Sequence, residues 1–274
     1  TAFFIASGAT GNNGGTPMTS LTEEYDGSSL SSGANVNTAR SAGGAAGDSS
    51  AGLFFGGWTG ASPGLALNCE TYDGTSWTET ADLATHKRGA GSGAGTSNTA
   101  AISAGSYGPP STTTSEEFNV TANTVTGAAF SAGGNLNTPR RYHGGAGTQT
   151  AGLAFGGFQT NPASNNNESE EYNGSSWSEG NNLNNARRGI EGFGTQTAAV
   201  GVGGFPPPGI RTEEYNGTSW SNATDFGTVR MNKFGTAGLE PAGLIFSGSE
   251  TLNTESYDGS SWTEVNNLST QRSN

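Results

Sequence analysis

Short apolar segments alternate with polar stretches along the whole chain, and this alternation recurs six times. Each apolar segment is about five residues long, as expected of a β-strand, and ends in small residues. A polar stretch of variable length follows it, and then a segment in which acidic residues precede an aromatic residue. The apolar segments end at Gly8, Gly57, Gly105, Gly157, Gly204 and Gly248.

Two more landmarks accompany every apolar segment. An aromatic residue closes the acidic segment, and a basic residue follows the next polar stretch. The aromatic residues are Tyr25, Tyr72, Phe118, Tyr172, Tyr215 and Tyr257. The basic residues are Arg40, Lys87, Arg140, Arg187, Arg230 and Arg272.

The spacing of these landmarks separates a constant part of each repeat from a variable part. The interval from the aromatic to the basic residue is 15 in five repeats and 22 in the third, and the basic residue precedes the next landmark glycine by 17 or 18. The interval from glycine to aromatic varies from 9 to 17. A fixed core with one connection of free length is typical of a propeller blade whose loops diverge on one face.

Each repeat is long enough for four short strands. In the second repeat we assign strand a to residues 41–48, b to 51–58, c to 67–74 and d to 76–83. No segment keeps an apolar stripe at the helical period, and glycine is frequent at 46 residues, so the sequence predicts almost no helix.

The connection from strand c to strand d carries Asp-Gly or Asn-Gly in five repeats. This pair predicts a tight type I′ turn, because that turn needs positive φ at both central positions. A tryptophan begins strand d in four repeats, where it would fill the wide outer part of a wedge-shaped blade. These residues are Trp77, Trp177, Trp220 and Trp262.

The glycine-ended strand, the Tyr-Asp-Gly strand and the tryptophan three residues after that glycine resemble kelch repeats and the propeller of galactose oxidase. Strings such as EEYNGSSW, NLNTAR and GAGTQTA also resemble tandem kelch-like repeats in structural proteins of bacteriophages, especially marine ones. We therefore predict an all-β fold, a single six-bladed kelch-like β-propeller over 1–274 with four-stranded antiparallel blades. The blades should end near residues 40, 87, 140, 187, 230 and 272.

Closure of the ring raises a question about the first blade. Wrapped onto the beginning of the chain, Arg272 precedes Gly8 by 10 residues, where the other repeats have 17 or 18. Strand a of the first blade is therefore expected to be missing from residues 1–274. It could lie in additional chain beyond either end or come from a neighbouring subunit, or the blade could keep three strands, which would leave an inner edge open to strand addition.

The charge balance and the reactive residues exclude several classes of partner and cofactor. The net charge of −12 argues against nucleic acid or an anionic membrane surface as the partner, and no apolar run is long enough for a transmembrane helix. The single cysteine, Cys69, permits no internal disulfide. Galactose oxidase uses copper, but His86 and His143 fall at different repeat positions, so we expect no metal and no other cofactor.

Basic residues concentrate on one predicted face. Nine of the eleven lie on the connections from strand d to the next strand a, which share a face with the variable b–c loops. They could form a cationic ring for an anionic ligand, or structural ion pairs with the glutamate two residues before each aromatic. We favour the structural pairs, and we also expect Glu171 and Glu214 to contact repeat arginines. The glutamates of the pairs are Glu23, Glu70, Glu116, Glu170, Glu213 and Glu255.

Aromatic residues follow strand b directly in four repeats, and we regard them as candidate partner-binding residues on the variable face. Packing over the ends of the blades is the alternative role. These residues are Trp58, Tyr107, Phe158 and Phe205. The variable loops are predicted at 9–22, 58–67, 106–114, 158–168, 205–212 and 249–254.

The carboxylates recur at the same positions of the repeat, which favours a structural role for them over a role as a catalytic acid and base. We expect a non-enzymatic structural or receptor-binding component on the outside of an assembly, in particular a phage virion. Its partners would be other structural proteins of that assembly, or a receptor or glycan of the host surface, and a homo-oligomer is possible. The alternatives are a lectin-like, carbohydrate-binding propeller of a bacterial surface and an oxidase-like enzyme. The expected location is the virion or the extracellular surface.

Overall fold

The computed structural model describes residues 3–9, 17–60, 64–89, 94–107, 112–120, 129–231, 234–248 and 251–269. These residues form strands, turns and bends, and none of them lies in an α-helix. Among these residues, no helix is long and apolar enough to cross a membrane.

Six antiparallel sheets follow one another along the chain and form a six-bladed β-propeller. Blade I contains β1 (Phe3–Ala9), β2 (Met18–Tyr25) and β3 (Leu30–Ser32). Blade II contains β4 (Gly44–Asp48), β5 (Ala51–Phe55), β6 (Cys69–Tyr72) and β7 (Trp77–Thr80). Blade III contains β8 (Ala94–Ser97), β9 (Ala100–Ser106), β10 (Thr112–Asn119) and β11 (Ala129–Ala132).

The remaining three blades have four strands each. Blade IV contains β12 (Gly144–Thr148), β13 (Ala151–Phe155), β16 (Ser169–Tyr172) and β17 (Trp177–Glu179). Its b–c loop forms a separate two-stranded sheet of β14 (Phe158–Thr160) and β15 (Ala163–Asn165). Blade V contains β18 (Glu191–Thr195), β19 (Ala198–Val202), β20 (Thr212–Tyr215) and β21 (Trp220–Asn222). Blade VI contains β22 (Gly235–Leu239), β23 (Ala242–Phe246), β24 (Thr254–Tyr257) and β25 (Trp262–Val265).

The first strands of blades II to VI line the centre of the ring, since each contacts the first strand of the next blade. In blade I the described residues form three strands, as the repeat spacing predicted, and β1 contacts both β22 and β4. Apolar clusters cross this closure on both sides. Ile5 packs with Leu244, Phe246 and Leu268 of blade VI, and Phe4 packs against the cluster that contains Trp77 of blade II.

Close packing between strands a and b explains the glycines at the start of strand a. A Cβ atom on Gly44 would lie 2.4 Å from the ring of Phe55, and one on Gly144 would lie 2.4 Å from that of Phe155. Glycine therefore leaves the room that a large ring fills on the facing strand. In blade V the relative sizes are reversed. A larger residue, Glu191, replaces the glycine there, and the smaller Val202 replaces the phenylalanine that it faces.

The connection from strand c to strand d differs from the predicted two-residue turn. Tyr72 pairs with Trp77, so four residues lie between the strands. Only Gly74 among them has positive φ, at 89°. The Asp73 carboxylate instead accepts hydrogen bonds from the amides of Thr75 and Ser76, both at 2.8 Å. The Asp-Gly pair is thus part of an Asx-type turn, in which the aspartate side chain adds these bonds to a backbone hydrogen bond from the Asp73 amide to the Ser76 carbonyl at 3.3 Å.

Aromatic stacks fill the outer part of the blades. Tyr72 stacks on Trp77 at 4.8 Å between ring centroids, and Tyr172, Tyr215 and Tyr257 make the same contact with the tryptophans of their blades. The indole of Trp77 also donates a hydrogen bond to the Thr22 hydroxyl of blade I at 3.2 Å. The tryptophan thus joins neighbouring blades as well as filling its own.

Candidate functional site

The first basic residue after each of blades I to V is buried and forms an ion pair with the glutamate of the next blade. Arg140 is fully buried, and its Nη2 lies 2.6 Å from Oε1 of Glu170. The same carboxylate accepts hydrogen bonds from the backbone amides of Asn137 at 2.6 Å and Thr138 at 3.2 Å. Each such unit, which we call an Arg–Glu clasp, therefore pins the connection between two blades onto the second one.

Equivalent clasps occur at most of the other blade junctions. Their ion pairs are Arg40–Glu70 at 2.5 Å, Arg187–Glu213 at 2.9 Å and Arg230–Glu255 at 2.6 Å. At the junction of blades II and III, Lys87 lies 3.8 Å from Glu116 and donates to the carbonyl of Thr114 at 2.8 Å. Glu23 accepts a hydrogen bond from Ser269, and Arg272 lies outside the described residues.

Burial and the charged or hydrogen-bonding partners act in opposite directions on the pKa values of Lys87 and Glu255. Burial lowers the pKa of Lys87 to about 8, although Glu116 acts in the opposite direction. Burial alone would raise the pKa of Glu255, but hydrogen bonds from Arg230 and the amide of Gly227 hold it below the usual value. The clasp at this junction therefore favours the ionised form of Glu255, because both a cation and oriented amides stabilise the charge.

Where two consecutive glutamates precede the tyrosine of strand c, the second one has a different partner. The expectation that Glu171 and Glu214 contact arginines is therefore wrong. Glu171 accepts a hydrogen bond from the Tyr215 hydroxyl at 2.5 Å, and Glu214 accepts one from Tyr257 at 2.5 Å. Successive side chains of a strand point to opposite faces, so the second carboxylate faces the following blade rather than the clasp.

The four candidate aromatic residues lie beside the connections between blades. Phe158 exchanges backbone hydrogen bonds with Arg141, at 2.8 and 3.1 Å, and Phe205 does so with Arg188, at 2.7 and 3.0 Å. Tyr107 donates to the Arg88 carbonyl at 2.6 Å. Trp58 pairs in the same way with Ser41, which occupies the arginine position in its blade.

Three arginines lie between these aromatic rings and connect four blades. The Arg88 guanidinium carbon is 4.6 Å from the Trp58 ring centroid and 5.1 Å from that of Tyr107. Arg141 lies 4.8 Å from the Tyr107 centroid and 5.2 Å from that of Phe158. Every distance is within the range of a cation–π contact.

Arg188 completes the series, at 5.2 Å from the Phe158 ring and 4.4 Å from the Phe205 ring. We call this series the arginine–aromatic ladder. In chain order it consists of Trp58, Arg88, Tyr107, Arg141, Phe158, Arg188 and Phe205. The residues directly precede the innermost strands or follow strand b, so the ladder curves around the axis on the variable-loop face.

The ladder arginines have no carboxylate partner within the described ranges, in contrast to the clasp residues. Arg188 donates to the side-chain oxygen of Asn165 at 3.3 Å. The Nε atom of Arg141 is buried and has no hydrogen-bond partner in the described structure. Stacking occupies the faces of a guanidinium but not its edge, so N–H donors remain for a bound group.

The residue after each ladder arginine adopts left-handed backbone geometry. Tyr142 has φ of 55°, and Gly89 and Gly189 have φ of 56° and 62°. The Tyr142 amide donates to the Gly89 carbonyl at 3.2 Å, and the Gly189 amide donates to the Tyr142 carbonyl at 2.8 Å. This conformation is unfavourable for tyrosine, yet the Tyr142 ring is 40% exposed and lies 5.8 Å from that of Tyr107.

The residues considered for redox or metal chemistry lie apart. His143 is buried, its ring nitrogens are each 3.1 Å from a backbone carbonyl oxygen, and burial lowers its pKa to about 4. His86 is exposed, whereas burial raises the pKa of the Cys69 thiol to about 12. Across the described part of the chain, no three His, Cys, Asp or Glu side chains form a group that could hold a metal ion.

The comparison with known proteins assigns the chain to no family. No protein-family model matches the chain, and no curated protein matches its sequence. The fold is established as a six-bladed β-propeller.

Sequence reasoning found the ladder aromatics but not their arginine partners. The signal was present, because a second arginine follows the clasp residue at Arg88, Arg141 and Arg188, and an aromatic residue follows strand b in each of those three blades. In blade II an aromatic residue, Trp58, also follows strand b, but Ser41 follows the clasp residue. Arg230 is followed by Met231, and its blade has no aromatic residue at that position. The co-occurrence of the two residue types identifies the ladder.

Proposed function

We propose that the chain is a non-enzymatic, receptor-binding propeller on the outside of an assembly, and that it contacts its partner through the face bearing the arginine–aromatic ladder. The ladder is the observation that carries this proposal. It gathers partly exposed rings, and three arginines that have no carboxylate partner among the described residues, onto the face with the most variable loops. Recognition sites are commonly built on such loops over a rigid scaffold.

The resemblance of the repeats to kelch-like repeats of phage structural proteins suggests a virion as the assembly and a host surface as the target. The opposite face supports this orientation. Its c–d turns are closed by their own side chains, as at Asp73, and repeat nearly unchanged in five of the six blades. A face with five short turns of one kind suits mounting on an assembly better than discrimination between partners.

Site-specific photo-crosslinking within the native assembly tests the orientation. One photoreactive residue replaces Asn161, which is exposed in the b–c loop of blade IV, and a matched one replaces Ser175 in the c–d turn of the same blade. We expect the probe at 161 to crosslink to the receptor-bearing surface and the probe at 175 to crosslink to the assembly. Receptor crosslinks formed only from position 175 would show that the other face binds.

A further inference from the structure

We propose, on the basis of the function proposed above, that the arginine–aromatic ladder binds a carboxylated glycan. The argument begins with charge. The protein carries a net charge of −12, yet the three ladder arginines remain without a carboxylate partner among the described residues. An acidic protein has many carboxylates available for pairing, so cations left unpaired on one face form a local site of opposite sign.

The geometry of the arginines selects carboxylates. Each guanidinium is held between two rings, which fixes its plane and leaves its edge available for two parallel hydrogen bonds. The Nε of Arg141 is buried, so its Nη atoms are the donors that a ligand would reach. A carboxylate accepts this planar fork with both oxygens, and preorganisation of the fork reduces the entropy lost on binding.

The repetition of the ladder selects a polymer with regularly spaced charges. Arg88 and Arg141 lie 5.1 and 4.8 Å from the same Tyr107 centroid, so their guanidinium carbons are no more than about 10 Å apart. Arg141 and Arg188 share Phe158 in the same way, each at 5.2 Å. A chain of acidic sugars can present several carboxylates to such a series at once, which raises its avidity.

Exposed rings beside the arginines favour a sugar over an acidic peptide. Tyr107 and Tyr142 are 37% and 40% exposed, and both lie within 5.5 Å of the Arg141 guanidinium carbon. The apolar face of a sugar ring can stack on them while its carboxylate reaches the arginine. The left-handed conformation of Tyr142 holds its ring in this position.

Binding of oligogalacturonate to the purified full chain, measured by calorimetry, tests the proposal. The matched ligand is the fully methyl-esterified oligomer, which keeps the sugar rings but lacks the charges. We expect the acid form to bind and the ester to bind at least about ten-fold more weakly, since the uncharged ester cannot accept charge-assisted hydrogen bonds from the arginines. Binding should weaken as salt is raised.

Two variants locate the site. Arg141→Gln should weaken oligogalacturonate binding about ten-fold, whereas Arg211→Gln should leave it within about two-fold, because Arg211 lies on the same face but outside the ladder. Circular dichroism and the thermal midpoint of each variant verify that it is folded. Equal losses in the two variants would overturn the assignment of the site.

The remaining outcomes separate this inference from the proposed function. Equal binding of the methyl ester or of polyglutamate would overturn the carboxylated glycan as the ligand class, as would the absence of binding by the acid oligomer. The face itself is tested by the crosslinks from position 161. Receptor crosslinks there, without binding of acidic glycans, would sustain the proposed function and reject this inference.

Discussion

Arg140 and Arg141 are adjacent in the chain but occupy opposite environments. Arg140 is fully buried and forms the clasp with Glu170 at 2.6 Å. Arg141 lies between the rings of Tyr107 and Phe158 and has no carboxylate partner among the described residues. Consecutive side chains of an extended backbone point in opposite directions. Arg140 therefore lies in the interior, and Arg141 lies at the surface.

The adjacent glutamates of the next blade repeat this division. Glu170 faces the clasp, whereas Glu171 faces the next blade and accepts a hydrogen bond from Tyr215. The charges of these two adjacent pairs are thus paired with an opposite charge, stacked between rings or hydrogen-bonded across a blade junction. Residue type alone therefore does not give the role of a charge in such a repeat, whereas its position on the strand does.

Loss of a clasp arginine should have the largest effect. Arg140→Gln leaves the Glu170 carboxylate buried without its cation, and we expect the free energy of unfolding to fall by about 3–5 kcal/mol. Arg141→Gln removes only stacking contacts at a half-buried position, and the expected loss is about 1–2 kcal/mol. Urea denaturation of both variants measures the difference. Similar losses would show that the two arginines share one structural role.

A charge without any of these partners offers a second test. Glu191 makes no ion pair with a described residue, and burial raises its pKa to about 8. Its folded pKa lies above the unfolded value, so the contribution of Glu191 to stability is fullest below about pH 4.5 and is lost as the pH rises towards 8. Between pH 4.5 and pH 8, the free energy of unfolding of the wild type should fall by about 2–3 kcal/mol more than that of Glu191→Gln.

The measurement is the free energy of unfolding of the wild type and of Glu191→Gln, determined at intervals from pH 4.5 to pH 9. His143 acts in the opposite direction, since its folded pKa of about 4 makes stability fall as the pH drops below 6.5. Both proteins keep His143, so subtraction of one profile from the other isolates Glu191. Parallel profiles above pH 5 would refute the assignment.

Much of this arrangement was predictable from the sequence. The spacing of landmarks such as Tyr172 and Arg187 predicted six blades and a first blade short of one strand. The partners of Glu171 and Glu214 were mispredicted because spacing does not reveal which face of strand c each one occupies. The c–d loop was mispredicted because the side chain of Asp73 supplies the hydrogen bonds that a tight backbone turn would have used.

The hydrogen bond between blades supplies a third, smaller prediction. Tyr215→Phe removes the hydroxyl that donates to Glu171, and we expect the free energy of unfolding to fall by about 1–2 kcal/mol. The effect is smaller than in the clasp because Glu171 is only partly buried and water can replace the donor. A double-mutant cycle with Glu171→Thr measures the coupling. A coupling energy near zero would show that the hydrogen bond contributes nothing to stability.

The junction of blades II and III is a natural control for that hydrogen bond, because the chain omits it there. Phe118 replaces the tyrosine and Thr71 replaces the glutamate. The space for the hydroxyl also changes. A Cβ atom on Gly180 would lie 3.5 Å from the Tyr215 hydroxyl, and Thr80 stands at the equivalent position of blade II. The three residues therefore differ together.

This concerted difference gives the last and smallest prediction. Phe118→Tyr alone places a hydroxyl at a fully buried position without its carboxylate acceptor and against a larger neighbour, so stability should fall by about 1 kcal/mol. Adding Thr71→Glu and Thr80→Gly rebuilds the arrangement of blades IV and V and should recover the loss to within about 0.5 kcal/mol. Thermal and urea unfolding of the single and triple variants measure this recovery. If the triple variant is no more stable than Phe118→Tyr, the hydrogen bond depends on more of the blade than these three positions.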